Sequence, residues 1–416
     1  MQAKKIQENL SYWRIMKTTA IICEYNPLTN GHVKHLQQAR SETGCDTLLC
    51  VMSGSFTQRG DAAITDKYLR AEQAIIHGAD IVIELPTIFA ISPADNFAYG
   101  AIKTISQFPS LQYLSFGSES GDLNGLLKLA KLLGDEPKEY KEILQGFLKK
   151  GFSFPKSRAL ALSEYSIISP EYKDLVGLLD YPNNVLGIAY IIAAKKANLK
   201  IKFHTVKRIG SSYNSDCLEE TYSSASAIRT ALQEGKMEEI KSQVPESTYE
   251  MLKTYKPRDN ALGSMMLFKL KTMSGYDLEK YYDVSGGIHN RLIISATNAI
   301  TLEELLTTAK TKNYTMARLK RICLYALFDI TQEDYSYALS CPPYIQILAI
   351  KENRKEDILP ELFKSCKNVL TRYSDVSKVD KALRPLIRLD FAAQGTLSIA
   401  NKVNYLNKKM LIVSID

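Results

Sequence analysis

The first 120 residues alternate between short, continuous apolar runs and longer stretches with helical spacing. Thr18–Glu24 is apolar and rich in β-branched residues, and it stops at a turn marked by Asn26 and Pro27. Helical spacing follows over Gly31–Thr43. Thr47–Met52, Ile81–Leu85 and Leu111–Phe116 repeat the apolar run, with helical patterns over Lys67–His77 and Asp95–Phe108 between them. Runs without polar alternation suit strands buried on both faces, so the pattern predicts a parallel sheet covered by helices on each side. Asp122–Tyr181 reads as a mostly helical insertion. The alternation then resumes with a helix over Asn184–Ala197 and a fifth strand over Ile201–Val206. Residues 224–243 are again helical, and Pro245 and Pro257 punctuate a boundary. Beyond about 260 the spacing is helical, at Asn290–Thr308, Ala317–Leu327 and Ile358–Leu370. The predicted fold is α/β: a Rossmann-like nucleotide-binding domain over 16–255, with its insertion at about 122–181, and a mainly helical domain over 256–416. Residues 1–15 read as an extension ahead of Met16.

Composition narrows the class. A chain of 416 residues with 45% hydrophobic and 24% charged positions is globular, with room for two or three domains. Apolar stretches such as Val185–Ala194 fall short of the about 18–20 residues that a membrane-spanning helix needs. The first fifteen residues lack the apolar core of a signal peptide. Seven cysteines, none in a C-x-x-C pair, suit neither a disulfide framework nor a zinc site and predict a reducing cytoplasm. Lys and Arg number 53 against 45 Asp and Glu, a net +8 compatible with a polyanionic partner. The excess is uneven. Tyr181–Gly210 contains no acid but carries Lys195, Lys196, Lys200, Lys202, Lys207 and Arg208. That segment is either a nucleotide or nucleic-acid face or a solvated surface.

In an open parallel sheet, ligands bind at the carboxyl ends of the strands. The first such end here reads Glu24-Tyr25-Asn26-Pro27-Leu28-Thr29-Asn30-Gly31-His32. Pro27 stiffens the turn, and Gly31 lets the backbone approach a ligand closely. His32 falls in the first turn of the following helix, where unpaired N–H groups and the helix dipole favour phosphate. An imidazole there can donate to a phosphoryl oxygen that gains charge in a transition state. Neither a G-x-x-x-x-G-K-[ST] loop nor a strand followed by G-x-G-x-x-G occurs.

Thr29-Asn30-Gly31-His32 resembles the [HT]-x-G-H signature of the nucleotidyltransferase superfamily, whose members cleave ATP between its α- and β-phosphates. A second superfamily signature, close to Ser-Ser-x-x-Ile-Arg, has its counterpart in Ser223-Ser224-Ala225-Ser226-Ala227-Ile228-Arg229 after the fifth strand. A closer resemblance, from Met16 onward, is to the tRNA(Met) cytidine acetate ligase family. It rests on EYNPLTNGH (24–32), VMSGSFTQRGDAAITDKYLRAEQAI (51–75), GADIVIELP (78–86), FGSESGD (116–122), YPNNVLGIAYI (181–191), VKRIG (206–210) and SSASAIR (223–229). SGGIHNRL (285–292) and YTMARLKRICLYALF (314–328) extend it into the second half. The chain departs from the family in having Leu28-Thr29 for Phe-His. It also has Gly286-Gly287-Ile288-His289-Asn290-Arg291 for Glu-Gly-Leu-Glu-Asn-Arg, which removes the carboxylates there.

The resemblance implies a HIGH-type fold and a two-step reaction. ATP and acetate form acetyl-adenylate and pyrophosphate, and the acetyl group passes to N4 of the wobble cytidine of elongator tRNA(Met), giving N4-acetylcytidine. It implies ATP contacts from Ile22, Cys23, Glu24, Tyr25, Asn26, Pro27, Leu28, Thr29, Asn30, Gly31, His32, Val33, Lys34 and His35, and from Gly117, Asn183, Arg208, Ser223 and Ser224. Catalytic roles fall to Thr29, His32 and Arg229. Mg²⁺ accompanies the pyrophosphate, with no residue assigned to hold it, and no obligatory protein partner is implied. Several residues carry two readings. Gly117 is a gap for adenine or ribose, or a strand-end turn. Asn183 reads a base edge or caps a helix, and Arg208 binds phosphate or is a solvated strand end. Arg59 is a candidate for pyrophosphate. Asp95 binds Mg²⁺ or a histidine, or is an N-cap. His35 joins the phosphate site or packs. Lys67 and Arg70 share a helix face and read as surface residues, and Cys23 as core. Within Ala317–Leu327, Arg318, Lys320 and Arg321 form a basic edge that the resemblance directs to tRNA. Two other classes remain open at this point: an adenylyltransferase acting on a small phosphate ester, and an inactive RNA-binding protein.

Overall fold

The structure, a computed structural model, describes residues 16–208, 222–255, 260–405 and 409–415. The extension over 1–15, Ile209, Gly210, Cys217 and Pro257 lie outside the described residues. Strands β1 (Thr18–Cys23), β2 (Thr47–Ser53), β3 (Ile81–Leu85), β4 (Leu111–Ser118) and β5 (Lys202–Lys207) are the expected ones, and they pair in parallel. With β6 (Ile345–Lys351), β7 (Val369–Leu370) and β8 (Leu411–Val413), the described residues form an eight-stranded sheet in the order β5-β4-β1-β2-β3-β6-β7, with β8 also on β6. Its helices include α1 (Asn30–Thr43), α2 (Lys67–Ile76), α3 (Ala94–Ile105), α4 (Pro182–Lys196), α5 (Ala225–Gln233), α6 (Met316–Leu327) and α7 (Arg384–Asn401).

Strand side chains divide between the two faces with period two. Ile21 and Leu48 join a core with Leu36 of α1 and Ala71 of α2. Ala20 and Leu49 join the larger core on the other face, with Ile102 of α3 and Ile188 of α4. Because β2 and β3 lie inside the sheet, every residue of both is buried, which accounts for their unbroken apolar sequences. The chain runs from β1 outward to β3, then crosses to β4 on the opposite side of β1. The switch point between β1 and β4 therefore opens a crevice at their carboxyl ends. The insertion packs as helices Leu123–Asp135, Lys138–Lys149 and Phe154–Ile168 and a 3₁₀ segment Pro170–Asp180. No single helix among the described residues is long and apolar enough to cross a membrane.

One expectation needs completing and one needs correction. The segment beyond 260 is helical in large part, but it returns three strands to the sheet, including β6 (Ile345–Lys351) and β7 (Val369–Leu370). Strand β6 runs antiparallel to β3, with Val82 opposite Ala349, so residues 256–416, mainly helical as expected, are joined to the sheet and do not stand apart from it. Lys67 and Arg70, expected on the surface, are each 1% exposed. Lys67 Nζ pairs with Glu84 of β3 at 2.5 Å. Arg70 donates to the carbonyls of Glu24, Ser53 and Gly54, tying the ends of β1 and β2 together. Asp390 of α7 accepts from the Thr87 N–H and the Tyr344 hydroxyl, so the C-terminal helix is hydrogen-bonded to the same buried region.

Removing one partner of a buried ion pair strands the other without compensation. Lys67→Met should therefore cost ~3–5 kcal/mol of stability, read as a lower denaturant midpoint, and adding Glu84→Gln should recover part of it. An unchanged midpoint in Lys67→Met would contradict the pairing.

Candidate functional site

The turn after β1 is built by local chemistry. Tyr25 takes a positive φ of 43°, and the Asn26–Pro27 peptide is cis. Thr29 then caps α1, its hydroxyl accepting from the His32 N–H, while His32 Nδ1 accepts from the Thr29 N–H at 3.0 Å. A histidine in this capping box has its tautomer fixed. Nδ1 is the acceptor, so the neutral ring carries its proton on Nε2. Burial lowers the His32 pKa to about 3, helped by Arg208 and His35. At neutral pH the ring is uncharged, with an N–H available at a helix N-terminus in the crevice.

A second helix N-terminus faces it. Ser224 caps α5 by accepting from the Ala227 N–H. One turn on, Arg229 donates to the Asn26 carbonyl at 2.7 Å and to Ser226 Oγ at 3.1 Å. The two superfamily signatures, some 200 residues apart, thus meet across one cleft. Adjoining cavities share His32, His35, Gly117, Arg208, Ser224 and Ala225 as walls. Paired helix N-termini with two arginines and a neutral imidazole donor suit a polyphosphate.

Other predicted residues take specific places. Gly117 sits in β4 at the crevice, where an added Cβ would meet Arg208 Cγ at 3.5 Å, an ordinary contact that places the arginine directly over the strand end. Arg208 leaves β5 with its N–H on the Ser118 carbonyl. Asn183 does not cap α4. Glu119 accepts from the Asn183 and Asn184 N–H groups and from Asn183 Nδ2, fixing that amide at the cleft wall. His35 Nε2 lies 2.9 Å from Ser115 Oγ, Ser115 Oγ 2.9 Å from His204 Nδ1, and His204 Nε2 2.9 Å from Glu42. This polar chain links the cleft to the surface, and burial, with His204 and Arg208, lowers the His35 pKa to about 3. Cys23 lines the cleft as well as its strand, and burial, with Cys50, holds its thiol protonated. Asn26 Nδ2 is buried and has no hydrogen-bond partner among the described residues, which leaves a donor in the turn.

Not every residue of the 22–35 segment reaches the cleft. Leu28 is fully buried in the α1–α2 core. Pro27, Asn30 and Val33 line neither cavity, and Asn30 instead binds the carbonyls of Ser242 and Gln243. Asp95 is exposed on the first turn of α3, whose N-cap is Pro93. Among the described residues no group of three or more His, Cys, Asp or Glu is placed to hold a metal ion.

The basic edge of α6 is not free. Arg318 and Arg321 both pair with Asp283, at 3.2 and 3.4 Å, and Lys320 pairs with Asp61 at 2.6 Å. Arg321 also donates to the Gln58 carbonyl. The loop after β2 is held between α6 and Glu24, which accepts from the Gln58 N–H at 2.7 Å while burial raises its pKa. Thr57, Gln58, Arg59 and Asp61 of this loop line the cleft. Arg318, Lys320 and Arg321, expected to face RNA, are thus each held by carboxylates or carbonyls distant in sequence. Sequence reasoning found Arg59 but missed Thr57, Gln58 and Asp61. Their position at the carboxyl end of β2 is the signal that locates them.

The family model for HIGH nucleotidyl transferases matches residues 16–410. A tRNA(Met) cytidine acetate ligase from Clostridium tetani is 37% identical over 396 residues, covering 93% of this chain and 96% of the relative. The apo crystal structure of Thermotoga maritima TmcAL superposes with a TM-score of 0.90 at 32% identity, over 96% of this chain and all 100% of the other. A second structure of that protein, bound with alpha-thio ATP, gives 0.88 at 31% identity, with coverage of 96% and 100%.

His32 and His35 set a pH dependence. Both fall from an ordinary 6.5 to about 3 on folding. The unfolded chain therefore takes up protons that the folded chain refuses. Stability should decline as pH drops below 6.5, by up to ~1.4 kcal/mol per pH unit for each ring. Between pH 6 and 5, His35→Gln should lessen the slope of unfolding free energy by about one proton. An identical slope would show that His35 titrates normally in the folded state.

Proposed function

The chain belongs to the tRNA(Met) cytidine acetate ligase family of HIGH nucleotidyl transferases, and on that premise we propose how its cleft carries out an acetate-dependent ligation. The chain is an enzyme of the ligase class. In the proposed first step, an acetate oxygen attacks the α-phosphorus of ATP, and the bond to the β-phosphate oxygen breaks. Acetyl-adenylate and pyrophosphate result. In the second, N4 of the wobble cytidine of elongator tRNA(Met) attacks the acetyl carbon and AMP departs, with the nitrogen's proton lost to base or water.

The observation that carries this reading is the neutral His32 ring, with its Nδ1 engaged by Thr29. Its Nε2–H is the donor for a phosphoryl oxygen, where charge builds in the transition state. Thr29 acts by fixing that ring. Arg229, anchored on Asn26, and Arg208 flank the polyphosphate, with the N-termini of α1 and α5 adding their dipoles. Asn183 and Gly117 border the nucleoside end. No covalent nucleophile takes part, in keeping with a protonated Cys23. Mg²⁺ carried in with ATP as part of the substrate would offset charge on the leaving pyrophosphate, and no residue of this chain is assigned to hold it. The full-length likeness to named ligases favours this reading over a phosphate-ester adenylyltransferase.

The test is acetate-dependent exchange of labelled pyrophosphate into ATP in the absence of RNA. The unaltered enzyme should exchange only with acetate, and His32→Ala should lose ~10²–10³ in rate while keeping its fold. Exchange independent of acetate, or a His32→Ala variant near normal, would remove the proposed step. Gly31 has room for a Cβ, 3.6 Å from Thr29 Oγ1. Gly31→Ala should therefore be mild, whereas the branched side chain of Gly31→Val should enter the phosphate path and weaken ATP binding in calorimetry. Equal ATP affinity in both variants would place the phosphates elsewhere.

A further inference from the structure

The cations of α6 are spent on internal pairs, but another surface is not. Lys195 and Lys196 end α4, Lys200 lies in the connection to β5, and Lys202, Lys207 and Arg208 follow along and beyond that strand. All six are exposed, and none forms an ion pair with a described residue. The acids nearby are engaged otherwise. Glu42 accepts from His204, Glu119 holds the start of α4, and Asp122 caps the helix that begins at Leu123. From Tyr181 to Arg208 the chain offers no acid of its own.

The geometry gives this charge a direction. β5 is the outermost strand of the sheet. At its start, the Nζ atoms of Lys202 and Lys17 lie 5.8 and 5.2 Å from the centre of the same Tyr113 ring. At its far end Arg208 enters the cleft wall. Six residues at ~3.3 Å each make a track of about 20 Å between the two. Lysines on an edge strand also deter unwanted strand pairing. That need does not extend to Lys195, Lys196 and Lys200, which precede the strand.

We propose that this face, from the end of α4 along β5, binds the phosphate backbone of the RNA substrate and leads its unpaired loop to the cleft at Arg208. The assignment rests on tRNA being the acetyl acceptor, as inferred above. Among polyanions, RNA fits because the track runs into a site whose acceptor is a nucleotide base, and a row of unpaired cations is what phosphate binding by counterion release requires.

The test changes Lys195, Lys196, Lys200 and Lys202 together to Gln, all outside the cleft. Acetate-dependent pyrophosphate exchange should be unaltered. Binding of an elongator tRNA(Met) transcript should weaken roughly tenfold or more, and the plot of log affinity against log salt should flatten by ~0.7–0.9 for each phosphate no longer neutralised. The same four positions changed to Arg should bind normally. If the Gln variant keeps the affinity and salt slope of the unaltered enzyme, the surface is not the RNA track. If the unaltered enzyme exchanges pyrophosphate with acetate but binds no tRNA, the choice of acceptor fails, and this surface with it.

Discussion

The hydrogen bond from the Thr29 N–H to His32 Nδ1 is the contact on which the site depends. It begins as helix capping, satisfying a backbone donor that the first turn of α1 would otherwise leave exposed. The same bond decides which imidazole nitrogen carries the proton and turns the ring edge toward the cleft. Burial then keeps the ring neutral, so its donor strength does not depend on a charge that would have to be desolvated. Structure and the proposed chemistry are one interaction here, since changing the cap would change the donor that the ring offers to the cleft.

A layered support surrounds that bond. Arg229 grips the carbonyl of Asn26 from the opposite helix, and Arg70 grips the carbonyl of Glu24 from beneath. Glu24 in turn holds the loop after β2, which α6 clamps from its outer side through Lys320 and Arg321. Arg229–Asn26 and Glu24–Gln58 join segments that both line the cleft, whereas Arg70 and α6 tie those segments to elements beyond it. The helical region is thereby joined to the cleft by hydrogen bonds and ion pairs as well as by apolar packing.

Much of the fold was legible because the interior strands have no polar face. The bounds of β3 were read without error, and β1, β2, β4 and β5 to within two residues at either end. Strand β6 was not read, because Ile345–Lys351 is a short apolar run inside a helical stretch, and periodicity alone does not separate a buried strand from a buried helical turn. At the site, Thr29, Gly31, His32 and Arg229 were legible from order and spacing. The fate of Arg318, Lys320 and Arg321 was not. A helical projection displays a basic edge, but Asp283 and Asp61, which neutralise it, lie far away in sequence. Lys67 was misjudged for the same reason, its partner Glu84 sitting on another element. Charges without nearby partners, as at Lys195–Arg208, stayed exposed as their sequence suggested.

The central claim is that His32 is neutral, with its proton on Nε2, throughout the working pH range. Imidazole ¹⁵N shifts of the intact chain, with the His32 signals assigned by their loss in a His32→Gln variant, measure this directly. Between pH 5.5 and 8 they should show one unprotonated Nδ1, one protonated Nε2 and no titration. A midpoint near the ordinary 6.5, or a proton on Nδ1, would contradict the account.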